Sequence, residues 1–300
     1  MNEFGSTQHQ DWGAEALWHQ LSPLLPGLDV EVLARCESTN TALLQRARAA
    51  AAGPRRGRGA EGAAEQRGQG DGGRRADDAA PWLLVAEHQI AGRGRMGRPW
   101  SASPGASLTF SLALPMAPRD WSGMSLAVGV ALADALEPRG GDGTPHLGLK
   151  WPNDIVWRDG PGRYRKLGGI LIETTAIGAH RIAVVGVGLD VLPLADRQAE
   201  GWASLQELQP GLTAPQALHR VALPLVQALR RFEHEGFTPY APAWAARDVL
   251  AGLEVATTAP EAPTGRALGV AADGALRVLA PGGEQRITSG EVSVRLRDGA

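Results

Sequence analysis

Thiol chemistry is nearly absent from this chain of 300 residues: one cysteine, Cys36, excludes an intramolecular disulfide framework and any multi-cysteine zinc or iron–sulfur centre. With Glu37 beside it and no histidine nearby in sequence, Cys36 reads as incidental rather than as a nucleophile. Excess charge is missing too. The 30 Lys and Arg against 32 Asp and Glu leave a net charge of -2, so no general field draws in nucleic acid or anionic lipid. Any anion site must be local. No window has the apolar length of a membrane span, and residues 1–10 lack the apolar run of a secretion signal. The expectation is a soluble, cytoplasmic protein without a membrane partner. Its 43% apolar residues suffice to bury a core.

Along the chain, Leu17, Leu21, Leu24 and Leu25 fall at helical spacing within 12–25. A strand follows at 30–33, and Ser38-Thr39-Asn40 then supplies an N-cap for a helix. Residues 49–80 turn to Gly, Arg, Ala, Glu and Gln without apolar periodicity, the composition of a disordered insertion. Between 53 and 78 six arginines meet five acids, which leaves little field for RNA. Strands are expected at 82–86, 106–114, 147–151, 155–157, 167–173 and 182–191, and helices at 124–136 and 217–232, the latter kinked at Pro224. Five short segments after residue 251 read as a small β-barrel. The fold class is therefore α+β: a mixed, largely antiparallel sheet packed with helices, plus the barrel. Domain bounds are expected at 1–29 for an N-terminal arm, 30–250 for the main unit and 251–300 for the barrel.

Three segments carry chemistry. Gly92-Arg93-Gly94-Arg95-Met96-Gly97-Arg98-Pro99-Trp100 follows an apolar strand, with glycines that let backbone approach a ligand and arginines that offer forked donors to phosphate or carboxylate. Trp100 adds a flat surface for a base. The run satisfies G-x-G-x-x-G, but no helix opens at its last glycine, so a dinucleotide loop is disfavoured. Lys150-Trp151-Pro152-Asn153-Asp154 sets a lysine at a strand end before an amide and a carboxylate. In Lys166-Leu167-Gly168-Gly169 a second lysine precedes glycines that mark a close approach by ligand or backbone. Ser38, Thr39, Asn40 and Gln89 add hydroxyl and amide groups, and Gly186-Val187-Gly188-Leu189-Asp190 a further glycine strand.

Taken in chain order, these segments resemble the signature set of biotin protein ligases. The resemblance implies a catalytic domain like that of class II aminoacyl-tRNA synthetases over 30–250 and an SH3-like C-terminal barrel. It implies an activity that joins biotin to ATP as biotinyl-5'-AMP, with Mg²⁺ as cofactor, and passes biotin to a lysine of a biotin carboxyl carrier protein. The implied catalytic residues are Arg95, Lys166, Lys150 and Asp154. Biotin would meet Ser38, Thr39, Asn40, Gln89, Gly92, Arg93, Gly94, Arg95, Lys166, Gly168, Gly169, Gly186 and Gly188. ATP would meet Arg93, Arg95, Arg98, Trp100, Asn153, Lys166 and Arg295, with magnesium near Asn153 and Asp154. Asp190 departs from the family's usual asparagine. The arm before residue 30 is too short for a winged helix, so no DNA partner is expected, while a homodimer through a sheet edge stays open. The rival readings are a lipoate-type acyl ligase, which shares the fold, and a noncatalytic regulator acting through the insertion.

Overall fold

The computed structural model describes residues 10–51, 80–137, 143–194, 201–288 and 292–296. Most of the segment read as an insertion, residues 52–79, lies outside them; its first residues, 49–51, instead continue a helix. In chain order the elements begin with α1 (Ala14–Leu21), β1 (Asp29–Leu33), α2 (Thr39–Ala51), β2 (Trp82–Ala86), β3 (Gly92–Arg93), β4 (Pro99–Trp100) and β5 (Ser107–Pro115). They continue with α3 (Met124–Leu136), β6 (Leu147–Lys150), β7 (Asp154–Gly160), β8 (Arg163–Ile177), β9 (His180–Asp190), α4 (Leu205–Leu208), α5 (Ala214–Glu235) and α6 (Ala241–Arg247). Last come β10 (Glu254–Thr257), β11 (Thr264–Val270), β12 (Leu276–Ala280), β13 (Gly283–Ile287) and β14 (Val294–Leu296).

Seven strands form the main sheet in the order β1-β2-β5-β9-β8-β7-β6, parallel at β1–β2 and antiparallel elsewhere. Alternation along the central strands shows that both faces are covered. Leu108, Phe110 and Leu112 of β5 and Val185, Val187 and Leu189 of β9 join α3 and α5 in the larger core. From the opposite face, Ala113, Ile182 and Val184 pack with Leu43, Leu44 and Ala47 of α2. On that second face the apolar residues then stop: β9 continues with Gly186 and Gly188, β5 with Ser111 and Thr109. Helix α2 thus covers only part of the face and leaves a floor of small residues beyond its N-terminus.

Some expectations shift. Helix α1 ends at Leu21, so Leu24 and Leu25 follow it in turns, and α5 runs unbroken through Pro224 from a Thr213–Gln216 capping box. The strand expected at 155–157 runs on, β7 pairing as far as Gly160, so the turn to β8 is confined to Pro161-Gly162. Helices α4 and α6 and the β3–β4 hairpin were not anticipated; all are short, where periodicity carries little signal. The C-terminal strands form an antiparallel sheet in the order β13-β12-β11-β10-β14, joined to the main core through Val255, Leu276, Val278 and Ile287. Trp151 spans the two, its indole N–H donating to the Gly274 carbonyl at 3.0 Å.

Candidate active site

One row of paired residues crosses five strands: Lys150 opposite Asp154, Asp154 opposite Gly169, Gly169 opposite Gly188 and Gly188 opposite Thr109. Directly paired residues share a face, so the row lies on the uncovered part of the α2 side. Lys166 joins it through an irregularity. The β7–β8 register slips at Ile155/Val156, which leaves Leu167 as an extra residue buried in the core. Such a bulge lets Lys166 and Gly169, three positions apart, project to the same side.

Above this floor, 89–100 forms a roof. Gly92 and Arg93 pair antiparallel with Trp100 and Pro99, so the chain after Gly97 returns as a strand and the dinucleotide reading fails on geometry. At the tip Met96 takes a left-handed φ of 56° and is exposed. The roof is fastened to the C-terminal segment: Arg95 donates to the Val292 carbonyl at 3.2 Å and Arg98 to Ser293 Oγ at 3.0 Å. Floor and roof enclose a cavity of about 290 Å³.

Most residues singled out from the sequence line that cavity, including Ser38, Thr39, Asn40, Gln89, Arg93, Gly94, Arg95, Arg98, Trp100, Lys150, Asn153, Asp154, Lys166, Gly169, Gly186, Gly188 and Arg295. Gly92 and Gly168 do not line it, and both need correction. A Cβ on Gly92 would meet the Trp100 carbonyl oxygen at 2.5 Å, so this glycine is required by the hairpin. One on Gly168 would meet the Gly188 carbonyl oxygen at 2.6 Å, on the side away from the cavity. Of the two adjacent glycines only Gly169 faces the cavity.

Polar groups gather at one end. Thr39 donates its backbone N–H to Gln89 Oε1 at 2.7 Å, and its hydroxyl oxygen lies 3.1 Å from the same atom. Both Asn40 amide hydrogens are spent on protein, Nδ2 donating to the Leu171 carbonyl at 3.1 Å and to Glu173 Oε2 at 2.9 Å. Asn40, which lines the cavity, thus braces its floor with both amide hydrogens. Arg93 turns toward the same carboxylate, 3.3 Å from Glu173 Oε2. Ser111, unremarked in the sequence, is fully buried with its Oγ 2.6 Å from both Thr39 Oγ1 and Asn40 Oδ1. Its signal was present: Ser107, Thr109 and Ser111 alternate with apolar residues in a strand buried on both faces.

Cations gather at the other end. Lys166 Nζ lies 2.9 Å from Asp154 Oδ1, and Lys150 Nζ 3.8 Å from Oδ2. Burial pushes the Lys150 ammonium below the ordinary lysine range; Asp154 opposes that shift, and Lys166, Arg295 and Arg98 add to it. Burial also lowers Arg95, opposed by Asp154 and reinforced by Arg98. A largely buried Lys150 and a half-buried Arg95 beside the more open Lys166, Arg98 and Arg295 make a cluster suited to a polyanion. Lys166 also sits 5.4 Å from the Trp202 ring and 6.0 Å from that of Trp100, and these indoles meet edge to face at 5.6 Å. Trp202 was missed because it follows β9 in a connection without periodicity. Pairing of 201–203 with the Lys166 backbone brings it in.

Magnesium ligation by Asn153 and Asp154 does not fit this geometry. Both Asp154 oxygens face ammonium groups, Asn153 Oδ1 accepts from Arg95 at 3.3 Å, and Asn153 Nδ2 donates to the Ile170 carbonyl. No cluster of three or more His, Cys, Asp or Glu suited to a metal occurs among the described residues.

Comparison with known proteins accords with this arrangement. Residues 68–190 match the Biotin/lipoate A/B protein ligase family and residues 254–295 the Biotin protein ligase C terminal domain. The chain is 33% identical to the biotin–[acetyl-CoA-carboxylase] ligase of Mycobacterium tuberculosis, covering 75% of this chain and 68% of that protein. For the Paracoccus denitrificans enzyme of the same name the figures are 32%, 70% and 89%. The chain spans 66% and 49% of the lengths of two bifunctional ligase/repressors it also matches. The fold is similar to that of a biotin protein ligase from Aquifex aeolicus solved with biotin and ATP, with a TM-score of 0.65 at 23% identity over 90% of this chain and 99% of that one. By sequence and by fold, the chain belongs to the biotin/lipoate A/B protein ligase family, on its biotin protein ligase branch.

Proposed function

We propose that the protein is an ATP-dependent biotin protein ligase. In the first step a biotin carboxylate oxygen attacks the α-phosphorus of ATP, the bond to the pyrophosphate oxygen breaks, and biotinyl-5'-AMP forms. In the second, a carrier lysine attacks the acyl carbon, the acyl–phosphate bond breaks, and AMP leaves with the electron pair. The observation that carries this reading is the placement of a neutral hydrogen-bonding end (Thr39, Gln89) and a cationic end (Lys150, Lys166, Arg98, Arg295) within one cavity. A head group that donates and accepts hydrogen bonds suits the first, a phosphorylated nucleotide the second.

Charge that builds on phosphate oxygens in the first step is met by cations already in place, the largely buried Lys150 foremost, and donors fixed beforehand stabilise a transition state most. Asp154 carries Lys166 and Lys150 on its two oxygens, which favours a positioning role over that of a base for the carrier lysine. Trp100 and Trp202 offer faces to the adenine. The roof made by 89–100 keeps water from the mixed anhydride until the carrier docks.

The test is a mass measurement. Purified protein, biotin, Mg-ATP and an apo carrier domain are mixed, and the carrier should gain the mass of one biotin, lost when its target lysine is replaced. A gain with lipoate and none with biotin would move the chain to the lipoate ligases.

A further inference from the structure

We infer that Ser111 makes the pocket selective for a head group bearing N–H, by forcing the Thr39 hydroxyl to present its lone pairs, not its proton, to the ligand. The inference rests on the biotin reading and adds to it the residue that sets the polarity of that end of the cavity.

The argument is a count of protons. Asn40 has one permitted amide orientation, because its Nδ2 faces two acceptors, the Leu171 carbonyl and the Glu173 carboxylate. Its Oδ1 is thereby aimed at Ser111. Gly186, the cross-strand partner of Ser111, lies so close beneath that a Cβ there would strike the Asn40 amide, so no other group reaches that oxygen from below. Asn40 is 3% and Ser111 0% exposed, which leaves no room for bulk water to serve instead.

Ser111 has one proton and two partners at 2.6 Å. A carbonyl oxygen can only accept, whereas the Thr39 hydroxyl can do either, so the Ser111 proton belongs to Asn40. The contact between Ser111 and Thr39 then needs the Thr39 proton. Gln89 Oε1, the competitor for that proton at 3.1 Å, already accepts the Thr39 backbone N–H at 2.7 Å. Thr39 Oγ1 therefore meets the cavity as an acceptor. Gln89 Nε2, without a hydrogen-bond partner among the described residues, supplies the complementary donor. A cyclic urea has N–H groups flanking a carbonyl oxygen and matches both; a disulfide-containing ring matches neither.

Binding of biotin is compared with that of the two cyclic carbamates in which one or the other ring N–H is replaced by oxygen. The wild-type chain should prefer biotin over at least one carbamate. In Ser111→Ala the Thr39 proton is released to donate, and the preference should shrink by about fivefold to tenfold, the worth of one hydrogen bond, with ATP affinity unchanged. Equal weakening of biotin and carbamates, or no change, would reduce Ser111 to packing and overturn the inference. Ser111→Cys keeps a hydrogen donor, weaker and somewhat larger, and should fall between; if the alanine variant does not fold, an unaltered ratio in the cysteine variant overturns it as well. Absence of biotin binding by the wild-type chain would instead refute the ligase reading.

Discussion

Replacement of Gly169 by alanine separates the needs of the ligand from those of the fold. Of the glycines on the floor, Gly186 and Gly188 are demanded by the protein itself: a Cβ on Gly188 would lie 2.6 Å from Trp100 Cζ2, and one on Gly186 only 2.9 Å from Asn40 Cγ. At Gly169 the nearest atoms are Asp154 Oδ1 at 3.7 Å, Lys166 Nζ at 3.8 Å and Lys166 Cε at 3.9 Å, all ordinary contacts. A methyl group therefore fits the unliganded protein and projects into the cavity beside Lys166. Loss of a strand glycine should stabilise the fold by about 0.5–1 kcal/mol through the unfolded chain. Overfilling a close-fitting site costs about 1–3 kcal/mol, so biotin and ATP should bind about 5-fold to 150-fold more weakly. Calorimetric titration gives the affinities and thermal unfolding the stability. The expected result for Gly169→Ala is an unchanged or raised Tm with weakened ligands, against a lowered Tm for Gly186→Ala. Retained affinity in Gly169→Ala would show that ligands do not use this floor.

Trp202→Ala should raise KM for ATP about tenfold while leaving that for biotin unchanged, if the indole forms an adenine wall; steady-state kinetics with each substrate varied decide it. Burial holds Lys150 below the ordinary lysine range in the free protein, and arriving phosphates favour its ammonium form. ATP binding should therefore take up protons there, and its affinity should fall as pH rises through the free-protein pKa of Lys150. Calorimetry in buffers of differing ionisation enthalpy should detect the uptake, and Lys150→Met should abolish it. Arg247 is fully buried, with Asp134 at 2.9 Å and Glu137 at 3.2 Å, away from the cavity. Arg247→Met should cost about 3–5 kcal/mol of stability and leave the KM values of the folded fraction intact, which thermal unfolding beside kinetics would check.

The sequence by itself determined the strands, the long helices and the chemical character of the site. Apolar alternation depends on local geometry, so β2, β5, β8 and β9 and helices α3 and α5 were legible without a structure. So were the glycine–arginine run and the two lysines, because their residue types have few uses other than close approach and anion binding. Only the tertiary structure decided which of them act together. The bulge at Leu167 puts Lys166 and Gly169 on one face, and cross-strand pairing aligns Lys150, Asp154, Gly169 and Gly188 from four strands. Neither is written in spacing, since strand register depends on partners far away in the chain. The same holds for Gly168, Asn40 and Ser111. A glycine's letter does not say whether ligand or neighbour needs the space, and a polar letter does not say where its hydrogen bonds are spent. Those answers come from residues on other strands and helices, 20 positions away for Gly168 and more than 70 for Asn40 and Ser111, packed by a fold that buries both faces of one sheet and leaves part of one face for a ligand.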